Sequence, residues 1–347
     1  MAVQRSARAF YARGEIAEEQ VRWKDALNHY QRAVDLHPCA DHLFKTNTLF
    51  WKLGQYQAAL SEARRYLDAA ISEDGEGSAA HANALNSIAI RLNELGRYEE
   101  AEPLFKQAIE IDKATLSEDH TNHATRLNNL ALLYRDMGRL QDAEPLYLQA
   151  IEIDKATIGA DHPDYAIDLG NLASLYQDMG RLQDAEPLYK EVLKNHKASL
   201  GEDHPHYAIG LNNLANLYRD MGRLQDAEPL YLQAIEIDKS TLGEGHPEYA
   251  IRLNNLATLY CDIGRLQDAE PLYKQAIEIT KAALGENHPS YAIRLNNLGK
   301  LYEDMGRAAD ALPLLTQAVD IFTRSLGPDH PNTQTVARNL ATLREKL

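Results

Sequence analysis

The sequence predicts an all-α protein built as a solenoid of stacked antiparallel helix pairs, and three observations predict it. The tripeptides Gly96-Arg97-Tyr98, Gly138-Arg139-Leu140, Gly180-Arg181-Leu182, Gly222-Arg223-Leu224, Gly264-Arg265-Leu266 and Gly306-Arg307-Ala308 recur every 42 residues without slippage. Each 42-residue unit carries two apolar stripes at steps of three and four, separated by that glycine. Neither stripe can be buried by its own helix, so each unit needs a neighbour. A fixed period of this length marks one supersecondary unit copied and stacked. Chain length then sets the number of units rather than of domains.

Residues 163 to 204 serve as the type unit. From Pro163 to Met179, Ala166, Leu169, Leu172, Ala173 and Tyr176 follow one helical face. Gly180 supplies the turn, because glycine adopts the positive φ wanted just past a helix end. From Leu182, the residues Ala185, Leu188, Tyr189, Val192 and Leu193 repeat the spacing, and this second helix ends near Leu200-Gly201. Proline suits the first turn of the first helix. Pro187 and its equivalents Pro103, Pro145, Pro229, Pro271 and Pro313 sit early in the second, where a small bend is expected. Ala173 and Ala185 let the two helices approach closely, and Tyr176 and Tyr189 fill the space between units.

These residues carry a family resemblance. Leu169, Leu172, Ala173, Tyr176, Gly180, Ala185, Tyr189 and Val192 match the large, small and aromatic pattern of the tetratricopeptide repeat. The extra length, with Gly-Glu-Asp-His-Pro at 201 to 205, Leu-Asn-Asn-Leu-Ala at 211 to 215 and Asp-Ala-Glu-Pro-Leu-Tyr at 226 to 231, resembles the 42-residue repeat of kinesin light chains and their prokaryotic relatives. The resemblance covers residues 79 to 347 and implies a right-handed α-solenoid. Upstream, Trp23 to Tyr30 with Ala33 and Pro38 resembles a standard repeat, and Trp51 to Tyr56 with Ala59 another. The expected organisation is two divergent repeats in 1–78, six regular ones in 79–330 and a C-terminal capping helix in 331–347. Residues 1 to 14 hold Arg5, Arg8 and Arg13 with no acid before Glu15, as a transit peptide would. Ala7, Phe10 and Gly14 nevertheless fall in repeat register, which favours a first repeat helix.

Composition excludes several function classes. The net charge of −15, with the acidic excess lying after residue 78, argues against nucleic acid and favours a basic or neutral partner. Cys39 and Cys261 are too few and too far apart for a disulfide framework or a zinc site, so a reducing, cytoplasmic compartment is expected. No apolar run approaches 18 residues, which predicts no membrane span. No nucleophile elbow, phosphate loop or HExxH occurs, which argues against an enzyme and against a cofactor.

The resemblance places the first helix of each repeat along an inner surface where relatives bind extended peptides. There Ile167, Asn171, Ser174 and Asp178 advance by four, three and four and share one direction. The asparagine recurs as Asn129, Asn171, Asn213, Asn255, Asn297 and Asn339, with Asn128, Asn212, Asn254 and Asn296 beside it. An amide both donates and accepts, so such a ladder can pair with the backbone of a bound strand; it can equally brace neighbouring helices. The next column reads Ile90, Leu132, Ser174, Asn216, Thr258, Lys300 and Thr342, and another reads Asn93, Arg135, Gln177, Arg219, Cys261 and Glu303. Variation there is what pocket-by-pocket selectivity would produce, and what drift at exposed sites would produce as well.

An acidic ladder of Asp136, Asp178, Asp220, Asp262 and Asp304 lies three residues before Arg139, Arg181, Arg223, Arg265 and Arg307, a spacing that suggests local pairing. His120, His162, His204, His246, His288 and His330 precede each first helix. Capping is expected of them rather than metal binding, since stacked loops lie too far apart to share one ion. The expected function is a non-catalytic scaffold that binds a partner's peptide along the groove of repeats four to eight. The alternative is a self-assembling or subunit-bridging module docking through Phe10, Trp23, Phe44, Phe50 and Trp51.

Overall fold

The computed structural model describes residues 2–115 and 121–347, and among them helix follows helix, seventeen in all, with no strand. They fall into two compact units, residues 1–136 and 137–347. The first holds α1 (Ala2–Glu19), α2 (Trp23–Leu36), α3 (Ala40–Lys52), α4 (Tyr56–Asp74), α5 (Ala79–Glu94), α6 (Tyr98–Thr115) and α7 (Thr121–Asp136). The second holds α8 (Leu140–Thr157), α9 (Pro163–Asp178), α10 (Leu182–Ser199), α11 (Pro205–Asp220), α12 (Leu224–Thr241), α13 (Pro247–Asp262), α14 (Leu266–Leu284), α15 (Pro289–Asp304), α16 (Ala308–Leu326) and α17 (Pro331–Glu345). Within each unit every helix packs on the next in sequence, and odd-numbered helices also touch, as α11 touches α13 and α13 touches α15. This is the α-solenoid of helix pairs that the period predicts, with the odd-numbered helices forming one face.

The helix ends follow from local chemistry. At the end of α9, Gly180 takes φ 72°, which lets Arg181 donate its N–H back to the Tyr176 carbonyl at 2.8 Å. At the other end, His162 caps α9 through Nδ1, which accepts the Asp164 N–H at 3.2 Å. His204, His246, His288 and His330 cap α11, α13, α15 and α17 in the same way. His120 lies outside the described residues. Pro187 is the sixth residue of α10, beyond the first turn, so it removes one internal hydrogen bond while the helix runs on.

Ala173 and Ala185 are completely buried and Tyr176 and Tyr189 nearly so, which places the packing where the sequence pattern puts it. The stretch around Ala7 and Gly14 forms α1, and Gly14 fits because a Cβ there would stand 2.5 Å from the Tyr30 ring. No described helix is long and apolar enough to cross a membrane.

Candidate functional site

The face made by the odd-numbered helices carries the sequence-predicted residues. In the first unit Asn128 and Asn129 are half-buried on α7, and Asn129 Nδ2 donates to Asn86 Oδ1 on α5 at 3.1 Å. In the second unit Asn255 donates to Asn212 at 2.9 Å, Asn297 to Asn254 at 3.1 Å and Asn339 to Asn296 at 2.9 Å. Each bond joins one odd-numbered helix to the next, so the amide ladder braces the stack. Burial of Asn212 and Asn254 makes these bonds matter, because an unpaired amide there would be costly. Asn213 breaks the ladder. Its register partner, position 170, is glycine, and Asn213 remains half-exposed without a hydrogen bond. Asn171 is half-buried on α9.

The column that varies between repeats faces the following helix, where a constant tyrosine meets a serine, an asparagine and a threonine in turn. Ser174 Oγ meets the Tyr189 hydroxyl at 2.8 Å, Asn216 Oδ1 accepts from Tyr231 at 2.5 Å, and Thr258 Oγ1 meets Tyr273 at 2.9 Å. These phenols are buried, and burial pushes the pKa of Tyr231 and Tyr273 up, so the groove-side residue keeps a neutral hydroxyl bonded. In the eighth repeat the position of Tyr189 is taken by Leu315, and there the column carries the exposed Lys300. The second column bridges repeats: Asn93 donates to Asp136 at 2.7 Å, Gln177 to Asp220, and Arg219 Nε lies 3.5 Å from Asp262.

The local pairing expected of the acidic ladder is not what forms. Arg181, Arg223, Arg265 and Arg307 turn away from the acid three residues before and take the one three residues after, Asp184, Asp226, Asp268 and Asp310, at 2.7–2.8 Å. Each guanidinium also reaches a glutamate one repeat earlier, as Arg181 reaches Glu144 at 2.8 Å, and stacks on a tyrosine about 4 Å away. The reason is geometric. With the glycine turn between them, the arginine begins the second helix and faces its first turn rather than the helix behind it.

Two features are only partly read from the sequence. The first is an apolar row, Ile167, Ile209, Ile251 and Ile293, one on each of α9, α11, α13 and α15; Ile167 and Ile293 are 46% and 41% exposed and the two between them half-buried. All four lie at the 42-residue spacing, and Ile167 belongs to the stripe read from the sequence, but only exposure distinguishes this row from a packing row. The second is a cleft of about 200 Å3 between α9, α10 and α11, open above Gly170 and lined also by Gly210. The signal for it was present, since both glycines depart from an otherwise regular repeat.

The aromatic residues of the first unit are largely spent on packing. Trp23 and Phe50 lie against the core formed by Ala17, Tyr30 and Leu49, Phe10 stacks on His29, and Trp51 Nε1 donates to Glu94. Phe44 is 45% exposed.

The chain belongs to the tetratricopeptide repeat family: the family model matches residues 47–114, 122–198, 165–240, 206–282, 248–324 and 295–347, and a second tetratricopeptide model matches 2–41 and 11–74. Its repeats are of the kinesin light chain-like, 42-residue kind. Among solved structures it is similar to a protein of Podosopora anserina described as a kinesin light chain with nearly identical repeats. That match has 27% identity over 59% of this chain and 96% of the other, with a TM-score of 0.50. BtubC from P. vanneervenii (23% identity, 68% and 94% covered, TM-score 0.52) shares the fold. So does a Rap protein solved with a competence and sporulation factor (15% identity, 98% of each chain, TM-score 0.59). No curated protein matches the chain.

Proposed function

We propose that the protein is a non-catalytic scaffold that binds an extended peptide segment of a partner protein along the odd-helix face of residues 137–347. The fold is one used for protein–protein interaction, and its repeats set the same side chains at even intervals, a natural match for a chain with its own period. The observation that carries the reading is the isoleucine row, exposed at Ile167 and Ile293, running beside asparagines. An apolar row left in water gains by being covered, and the amides next to it supply donors and acceptors to a backbone. Asn213 has both free. Two divergent repeats, six regular repeats and a terminal cap make up this scaffold. The surplus of acid favours a basic or neutral segment, and the two free cysteines suit a cytoplasmic setting.

Selection of peptides from a random library against the full chain tests this. The paired variant Ile167→Glu, Ile293→Glu changes exposed side chains only, so it should keep the wild-type melting temperature and lose at least about tenfold in affinity for the selected peptides. Peptides that bind the variant equally well would place the site elsewhere. Capture of the chain by itself alone would favour the self-assembling alternative.

A further inference from the structure

The cleft at Gly170 and Gly210 differs from every corresponding place in residues 137–347. The equivalent positions of later repeats, 212 with 252, 254 with 294 and 296 with 336, carry a side chain at both. A Cβ on Gly170 would meet nothing nearer than Val192 Cγ2 at 4.0 Å, so the space above this residue is empty. Gly210 instead permits close approach of α10, since its Cβ would stand 2.9 Å from Leu193 Cδ2. The exposed Ile167 stands at the mouth, and the buried Ala166 and Val192 form the depth.

His196 of α10 also lines the cleft. It is 5% exposed, and neither Nδ1 nor Nε2 makes a hydrogen bond of good geometry, although the His206 backbone lies beside the ring. At the same position other repeats hold Asp112, Asp154, Asp238, Thr280 and Phe322, so this histidine and its opening occur together once. Burial, and then the charge of neighbouring His206, hold its pKa below the usual value, which keeps the ring neutral near pH 7.

We propose that this cleft receives the ring of a tyrosine from the bound segment, with its hydroxyl paired to His196. The proposal rests on the peptide-binding reading above. An apolar cavity of roughly 150 Å3 accommodates benzene, so about 200 Å3 suits a phenol. A neutral imidazole offers one donor and one acceptor, and a hydroxyl can answer either, whichever nitrogen is presented. A carboxylate only accepts, an ammonium only donates and a methyl does neither. Rotation about χ2, a broad torsion for histidine, brings a nitrogen towards the incoming group. Asn213 at the rim then serves the segment's backbone.

The test is titration of the full chain with 4-methylphenol and with toluene, followed through the imidazole nitrogens by NMR. The expected result is saturable binding of 4-methylphenol that shifts His196 and is about tenfold tighter than that of toluene. Gly170→Asn installs the residue found at 212, 254 and 296; it should abolish binding while the melting temperature holds or rises. His196→Leu should bind the two ligands alike. Failure of 4-methylphenol to saturate, or wild-type binding by Gly170→Asn, overturns the proposal. If selected peptides bind as well after Tyr→Ala replacement, the cleft assignment falls and the groove stands. If 4-methylphenol binds but no peptide is ever captured, tyrosine as occupant and the peptide reading fall together.

Discussion

Asp238 on α12 and Arg252 on α13 meet at 3.1 Å with side chains 0% and 3% exposed, an ion pair sealed at the junction of two repeats. The same slot in the first unit holds Asp112 and Arg126 at 2.7 Å. Elsewhere it is filled differently: Asp154 with Asp168, His196 with Gly210, Thr280 with Arg294, Phe322 with Val336. One backbone geometry therefore accepts an ion pair, an acid pair, a cavity, a lone arginine or an apolar pair. Burial pushes Asp238 up to about 6 in spite of Arg252, which measures how strongly the slot resists charge.

Breaking the pair is expected to cost far more than replacing it. Asp238→Ala leaves the buried Arg252 guanidinium with Glu248 alone, at 3.0 Å, and should destabilise the second unit by about 1–3 kcal/mol. The double replacement Asp238→Phe, Arg252→Val copies the apolar slot of 322 and 336 and should be neutral or stabilising. Urea midpoints of the two variants decide this, and equal losses in both would show that the charges themselves hold the junction.

Asp154 and Asp168 face one another on α8 and α9, both buried, at 5% and 6% exposure, and close enough to share one proton. Burial and then the charge of Asp154 push Asp168 up to about 8 from an ordinary 3.8. The folded state thus holds a proton that the unfolded chain has lost between about pH 4 and 8, so this site's contribution to stability falls as pH rises through that window. Asp168→Asn should remove that fall. Its advantage over wild type, absent at pH 4, should be fully developed above pH 8 in urea titrations.

The histidine caps are expected to be worth what other side-chain caps are worth. His204→Ala frees the His206 N–H, now bonded at 3.1 Å, and should cost about 1 kcal/mol. Hydrogen exchange should quicken first at the start of α11, and unchanged exchange there would remove the capping role.

Two helix-interior glycines should respond oppositely to alanine. At Gly170 the nearest atom is 4.0 Å from the new Cβ, so Gly170→Ala should stabilise by about 0.5–1 kcal/mol through helix propensity alone. At Gly299 the Cβ meets Leu315 Cδ2 at 2.9 Å and Cγ at 3.0 Å, so Gly299→Ala should lower the melting temperature unless Leu315 moves aside.

The fold was legible because its signals are local and repeated. Gly180, His204 and Ala185 do in the structure what residue chemistry assigns them, and each acts within a few residues of its own position or against an invariant neighbour. The arginines were misread because Arg181 has acids at equal sequence distance on both sides, Asp178 and Asp184, and only the turn's direction chooses between them. The asparagines were half legible: their alignment on one face was readable, whereas the bond from Asn255 to Asn212 spans 43 residues and depends on how closely α11 and α13 lie.

The sequence by itself determined the helix pairs, their limits, the face each presents and the family, because period, capping and apolar spacing act at short range and were copied six times. Tertiary structure alone decided which polar groups are already satisfied and which are left over. Pairing of Asn212, Thr258 and Asp238 takes them out of reach, while Asn213 is left without a partner, and His196 without a hydrogen bond of good geometry, by one absent side chain at position 170 and another at 210. The physical reason is that a hydrogen bond or a cavity is a property of two surfaces brought together, and a stack of near-copies differs from unit to unit only where those surfaces meet.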